Sequence, residues 1–349
     1  MTTETTLTAL GWRPHFAAQT SDLNDDSLEP ARVSAVHRGR IDVVGQGFDF
    51  SVAISGKAAA LDITVGDWVL IDPDGPSVRK RLDRFGLFQR RSAGTSGDIQ
   101  LIAANVDTLF IVTSANRDFN VARLERYLAV AHDAGAYPVV VITKADTVDS
   151  VAKFVMEASG LSPGLLVETL DARDPEQVAV VRHWCKSGQT VALVGSSGVG
   201  KSTLINTLTG EHLETRGVRE DDQRGRHTTT GRSMHQLPDG GWLIDTPGMR
   251  ELQLVDVADA IEDVFSDVAK LAESCRFADC SHSTEPGCAV LAAIESDELD
   301  VARLKRYRKL LSEDRRNTES LAERRARDKS LGKFYKTVLT GKRKLTGKQ

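Results

Sequence analysis

The sequence predicts a doubly wound α/β domain set between a small all-β barrel and a helical, cysteine-bearing module. Three observations carry this. Strand and helix patterns alternate from about residue 105 to 255, a glycine-rich turn joins a strand to a helix at Gly195, and residues 31–92 break into short strand-like runs. A chain of 349 residues suits two or three compact units, and an apolar share of 40% is enough for separate cores.

Residues 1–30 are rich in Thr, Asp and Ala and predict a flexible extension. From Ala31 the runs ARVSAVHRGRIDVV, GFDFSVAISG and ITVGDWVLID carry no helical period, and their Gly, Asp and Pro turns predict a β barrel over 31–92. At Asp107 the rhythm changes. DTLFIVTS predicts a buried strand, VARLERYLAVAHDAG places Val121, Leu124 and Leu128 on one helical face ending at Gly135, and YPVVVI predicts a second strand. That βαβ unit should be parallel and right-handed. GLLVETL predicts a further strand and PEQVAVVRHWCKS a helix, after which TVALVG enters the glycine-rich turn. The α/β domain is placed at 100–255, followed by a helical module with a basic tail at 256–349.

The net charge of −4 conceals an asymmetry: residues 301–349 hold 17 Lys and Arg against 5 Asp and Glu, about +12, which leaves residues 1–300 near −16. Such a tail attracts polyanions, nucleic acid first among them, although a solvated helix of mixed charge has a similar composition. Four cysteines do not make a disulfide framework in a chain this long, and three of them fall within fourteen residues, which fits a reducing compartment and a metal site. The first thirty residues lack the basic start and apolar centre of a signal peptide, and no apolar run approaches membrane-spanning length. A cytoplasmic protein with no membrane partner is expected.

GSSGVGKS, Gly195 to Ser202, fits G-x-x-x-x-G-K-[ST] at every fixed position, with a predicted strand before it and the helix STLINTLTG after it. In that context the backbone of Gly195, Ser196, Ser197, Gly198, Val199 and Gly200 can wrap a phosphate chain, while the helix start at Lys201, Ser202 and Thr203 adds its positive dipole end. Lys201 reaches the terminal phosphates and the Ser202 hydroxyl can ligate Mg²⁺. Downstream, GWLIDTPGMR ends a strand at Asp245, placed to hold the metal directly or through water, and the Gly248 N–H can bond a γ-phosphate. Between these, RGRHTTTGR offers Thr228, Thr229 and Thr230; one hydroxyl completes the Mg²⁺ shell, and Thr229 is assigned to it.

VVVITKAD, residues 139–146, has the form of a guanine-reading loop. Asp146 can accept hydrogen bonds from both N1–H and the 2-amino group of guanine, a pattern adenine does not offer, while the Lys144 stem packs along the base. Thr143 and Ala145 complete the loop. It precedes the phosphate loop along the chain instead of following it. The contacts depend on place in the fold, so a permuted chain can build the same pocket.

This order of guanine loop, phosphate loop, threonines and DTPG resembles that of the circularly permuted GTPases, and among them the ribosome small subunit-dependent GTPase A family. ANVDTLFIV, GSSGVGKSTLIN, RGRHTTT and DTPGMRE carry the resemblance. It covers nearly the whole chain from about residue 31, because a barrel before the GTPase and a zinc module after it belong to the same layout. The fold class it implies is α/β: a circularly permuted P-loop GTPase domain with an N-terminal all-β OB-like barrel and a C-terminal helical zinc-binding module. It also implies a monomeric GTP hydrolase that binds the small ribosomal subunit and its rRNA and assists late maturation. Hydrolysis would be stimulated by the subunit and would gate release, with GTP or GDP, Mg²⁺ and one structural Zn²⁺ as ligands. The alternative is a nucleotide-dependent rRNA-binding scaffold with negligible hydrolysis.

Three positions depart from the usual pattern. Thr143 stands where the family usually has the Asn of Asn-Lys-x-Asp; that amide contacts the base and braces the phosphate loop, and a threonine replaces only part of this, at the expense of affinity more than specificity. Asp171 and Ala172 stand where GTPases often show Ser-Ala in the neighbouring base loop. Met249 stands where many GTPases place a water-orienting glutamine, and a thioether makes no strong hydrogen bond. Slow intrinsic turnover follows. His227, which the resemblance also favours, is the catalytic candidate that aligns or deprotonates water, its competing role being to anchor the loop or touch RNA.

Cys275, Cys280, His282 and Cys288 follow C-x4-C-x-H-x5-C, a closed set of three thiolates and an imidazole that suits a structural zinc. Cys185 stands alone and is expected to serve packing. Val301, Leu304, Tyr307 and Leu311 form a helical stripe expected to dock on the zinc module, and Arg303, Lys305, Arg306, Arg308 and Lys309 around it could meet phosphates. VRKRLDRFGLFQRR, at the end of the barrel, adds a second basic surface for RNA.

Overall fold

The computed structural model describes residues 6–21, 27–54, 61–91, 99–210, 232–245, 249, 252 and 254–318. Where residues 6–21 are concerned, the expected flexible extension is corrected. A single turn, α1 (Pro14–Ala17), starts on Pro14, and Leu10 and Phe16 are fully buried. Trp12 and Phe16 pack on Trp68 with ring centroids 4.8 and 5.6 Å away, and Trp242 Nε1 donates to the Ala9 carbonyl at 2.9 Å. The buried Arg32 guanidinium donates to the carbonyls of Leu10 and Asn105, and burial lowers its pKa to about 10. These anchors are spaced irregularly among Thr and Ala, so no period announces them.

Alternating apolar residues build β1 (Glu29–His37), β2 (Arg40–Gly45), β3 (Phe48–Ala53), β4 (Trp68–Asp72) and β5 (Ser77–Arg81). β1 is central, antiparallel to β2 and β4; β3 extends β2 and β5 extends β4. Ala31, Val33, Ile41, Val43, Val52, Val69, Ile71 and Val78 form the core of this unit, and β3 lies against β5. A separate hairpin of β6 (Leu87–Arg91) and β7 (Ile99–Ala104) leads into the α/β domain.

That domain runs β8 (Thr108–Ser114), α2 (Val121–Asp133), β9 (Tyr137–Thr143), α3 (Ala152–Ser159), β10 (Leu166–Thr169), α4 (Pro175–Val178), β11 (Thr190–Val194), α5 (Lys201–Thr209), β12 (Arg232–Gln236) and β13 (Trp242–Asp245). The sheet order is β10-β9-β8-β11-β13-β12, parallel except for the β12/β13 pair. β8 is buried along its whole length, as a strand covered on both faces should be. Asn120 caps α2 by accepting from the Arg123 N–H, and the helix buries Leu124, Tyr127 and Leu128, with Val121 partly covered. The helix expected over PEQVAVVRHWCKS is only one turn of α4 followed by a 3₁₀ turn, Ala179–Trp184. Val178, Val180 and Val181 are stiff at χ1 and favour this break.

Beyond β12 the sheet continues into the barrel, because β1 pairs antiparallel with it at Ala35↔Ser233 and Val36↔Arg232. C-terminal to β13 come α6 (Ala258–Val264), α7 (Ser266–Ala272), α8 (Ala289–Glu295) and α9 (Val301–Thr318). On α9 the buried stripe is Leu304, Tyr307 and Leu310, whereas Val301 is exposed. This stripe packs on α6 and on Phe265, whose ring lies 5.4 Å from that of Tyr307. Arg303 and Arg306 do not face outward as the sequence suggested. Both pair with Glu125 of α2, at 2.8 Å each, and Arg303 also lies 4.1 Å over the Phe265 ring. Among the described residues, no helix is long and apolar enough to cross a membrane.

Candidate functional site

Strands β8 to β10 step across the sheet one way and β11 to β13 the other. The order therefore switches between β8 and β11, and ligands of open α/β sheets bind at the carboxyl ends beside such a point. The glycine-rich loop leaves β11 there. Gly195 has φ +142°, and a Cβ on it would lie 2.1 Å from the Val112 carbonyl oxygen, so only glycine fits. Gly200, at φ +92°, starts α5 against Thr143. Lys201 is buried, and its Nζ donates to the Gly195 carbonyl at 2.7 Å and to that of Ser196. An ammonium resting on these carbonyls is already beside the cradle that a phosphate chain would fill. From α2, Arg123 donates to the Ser196 hydroxyl, so two cations converge on one loop residue.

β9 delivers the second loop. Thr143, fully buried at the strand end, bonds the Val199 carbonyl at 2.6 Å and the Thr113 carbonyl at 3.0 Å through Oγ1. Its single hydroxyl proton serves one carbonyl at a time, where an asparagine amide has two. The bond to Val199 joins TKAD directly to GSSGVGKS. Lys144 adopts φ +56° and turns the chain into a 3₁₀ turn, Ala145–Thr147, which the Thr147 hydroxyl closes on the Lys144 carbonyl at 2.8 Å. The neighbouring loop is tied in by the Thr207 hydroxyl on the Ala172 carbonyl at 2.7 Å. Arg173 Nη2 reaches Asp146 Oδ2 at 2.7 Å. Sequence reasoning passed over Arg173 and Arg123, since an arginine in a loop or a helix start carries no motif.

Asp245 ends β13, a strand parallel to β11 in which Ala192 faces Ile244. Met249 is buried in the core, so its side chain is packing. His227, Thr229 and Gly248, with the rest of RGRHTTTG (224–231) and Thr246 and Pro247 of DTPG, lie outside the described residues, as do residues 319–349 of the basic tail.

In the C-terminal module Cys275, Cys280, His282 and Cys288 bring one ligand atom each to within 4.8 Å of one another. Cys275 Sγ to Cys288 Sγ is 3.8 Å, and His282 Nδ1 lies 3.6 and 3.5 Å from those sulfurs. Bonds of about 2.3 Å to sulfur and about 2.0 Å to nitrogen give tetrahedral edges of about 3.8 Å and about 3.5 Å, so the spacing fits a four-coordinate metal. Burial works against the Cys275 thiolate, yet the N–H groups of Val290 and Ala289 hold its pKa below the usual thiol value. Burial and the neighbouring sulfurs of Cys288 and Cys275 push the Cys280 thiol up to about 11. Desolvation lowers the His282 pKa and favours the neutral ligand form. Glu285 holds this loop, accepting from the N–H groups of Ser281, Ser283 and Thr284 at 3.0, 2.7 and 2.9 Å. Its only sequence signal was a carboxylate between Ser/Thr and Pro-Gly. Cys185 is buried in the apolar cluster that includes Val181, Val191 and Leu243, and burial raises its thiol to about 12, in keeping with a packing role.

Comparison with known proteins agrees with this geometry. Residues 81–255 match the family described as RsgA GTPase. A small ribosomal subunit biogenesis GTPase RsgA 2 of Vibrio parahaemolyticus is 49% identical, the match covering 99% of this chain and 96% of that protein. A small ribosomal subunit biogenesis GTPase RsgA of Mesorhizobium japonicum is 48% identical, covering 89% of this chain and 91% of that one. Among solved structures, YjeQ of Thermotoga maritima superposes with a TM-score of 0.63 at 24% identity, over 82% of this chain and 98% of that one. YloQ, described as a circularly permuted GTPase, gives 0.60 at 21% identity, over 85% and 98%. These two likenesses speak for the fold, and the relatives' identity across nearly the full length speaks for more: the chain belongs to the RsgA GTPase family.

Proposed function

We propose that this chain hydrolyses GTP to GDP and phosphate on the small ribosomal subunit during late maturation, in the cytoplasm, with hydrolysis gating its release. The observation that carries the proposal is the Thr143 bond to Val199, which ties the TKAD loop to the glycine-rich loop, as a shared nucleotide site would need. The relatives named for small-subunit biogenesis support the partner. In this reading Asp146 and Lys144 take the guanine with Thr143 and Ala145 behind it, and residues 195–203 cradle the phosphates. Ser202, Asp245 and Thr229 hold Mg²⁺, which when bound neutralises charge on the β- and γ-phosphates. Gly248 donates to the γ-phosphate and His227 aligns water. Lys305, Arg308 and Lys309, exposed on α9, remain the outward cations for rRNA.

GTP turnover by wild type and His227→Ala, with and without purified small subunits, tests it. Subunits should accelerate the wild type strongly. The variant should lose about a hundredfold of the stimulated rate, the scale of general acid–base help, while keeping its nucleotide affinity. Absence of stimulation in the wild type would refute the partner, and full stimulation in the variant would remove His227 from the mechanism.

Cys275, Cys280, His282 and Cys288 hold one structural Zn²⁺ in this reading. The purified protein is expected to release about one equivalent of zinc to a strong chelator and to gain three reactive thiols in step. Cys185 should react only after denaturation. Three freely reactive thiols before chelation would contradict a closed site.

A further inference from the structure

Arg173 has a place that no motif assigns. The turn Asp171–Ala172–Arg173 folds on itself: Asp171 Oδ1 accepts the Arg173 backbone N–H at 3.0 Å and its Nε at 2.9 Å, and Oδ2 accepts Nη2 at 2.7 Å. Gln177 Oε1 accepts the Asp171 N–H at 3.0 Å, so the turn is pinned from the start of α4. The guanidinium is thereby aimed, and the same Nη2 reaches Asp146 Oδ2 at 2.7 Å. One arginine bridges the carboxylates of two loops.

We propose that Arg173 is a positioning residue for guanine recognition, fixing the rotamer of Asp146 so that both carboxylate oxygens meet the base in register. This rests on Asp146 being the guanine reader. An ionised carboxylate has about four acceptor sites, so a bond from Arg173 to Oδ2 leaves room for N1–H and the 2-amino group. The planar fork suits this bridge; a lysine in its place is a point charge on a flexible stem. Asp171, which stands where GTPases often show the serine of Ser-Ala, acts one step further back by aiming the arginine.

The test is binding of GTP and ITP to full-length wild type, Arg173→Ala, Arg173→Lys and Asp146→Ala, with thermal unfolding as a control for folding. Hypoxanthine keeps N1–H and lacks the 2-amino group, so the GTP:ITP affinity ratio reports the second hydrogen bond to Asp146. An exposed ion pair limits the effect, and Arg173→Ala should lower that ratio about three- to fivefold, with Arg173→Lys in between. An unchanged ratio, whether both affinities fall together or neither falls, reduces Arg173 to a loop clip and overturns the proposal. Tighter GTP binding by Arg173→Ala also overturns it, since the arginine would then compete with the base. Asp146→Ala tells the two failures apart: if it leaves GTP binding intact, the guanine reader itself is misassigned.

Discussion

Lys201→Ala is expected to lower small-subunit-stimulated GTP turnover by at least about a hundredfold, the scale on which removal of one preorganised charge donor acts. The side chain is buried, and its Nζ rests on the Gly195 and Ser196 carbonyls at the start of α5. Transfer of that ammonium from carbonyl to phosphate oxygens needs no movement of the helix. Alanine removes this cation from beside the loop and, among the described residues, leaves Arg123 alone there, which weakens binding as well as chemistry. Single-turnover hydrolysis measured beside the melting temperature checks it. A folded variant with wild-type turnover would place the phosphates elsewhere.

Glu125→Ala is expected to destabilise the docking of the C-terminal helices by about 3–5 kcal/mol, the range for removing one partner of a buried ion pair. Glu125 is fully buried on α2 and meets Arg303 and Arg306 of α9. Burial raises its pKa, and the two arginines pull it back only in part. Its loss leaves the Arg303 guanidinium enclosed, with Asp267 at 3.0 Å and the Leu161 and Val264 carbonyls at 3.1 and 2.8 Å as remaining partners. Earlier melting and faster proteolysis within 256–318 should follow. Melting within a degree or two of wild type would show that the helices dock by their apolar stripe alone.

Much of the α/β domain and its phosphate loop was legible because the information is local. Seven consecutive buried positions make β8, and the fixed spacing of GSSGVGKS makes its turn. The Cys/His cluster was legible for the same reason, since four ligands within fourteen residues close one small loop. What escaped depends on partners far along the chain. Arg303 and Arg306 look like phosphate cations until Glu125, about 180 residues earlier, is placed beside them. The pairing of β1 with β12 joins residues about 200 apart, and Leu10 and Phe16 find Trp68 without any period. Thr143 was read as a partial loss, and the geometry assigns it the bracing half of the asparagine's work through Val199.

The central claim is that the TKAD loop and the glycine-rich loop hold opposite ends of one guanine nucleotide despite their permuted order. Hydrolysis of GTP and XTP by Asp146→Asn tests it most directly. Xanthine carries an oxygen where guanine carries the 2-amino group, and an asparagine amide can donate to that oxygen while accepting from N1–H. The variant should lose GTP turnover and gain XTP turnover with small subunits, and adding Lys201→Ala should abolish the XTP reaction. Wild-type GTP turnover in Asp146→Asn, with none on XTP, would contradict the claim.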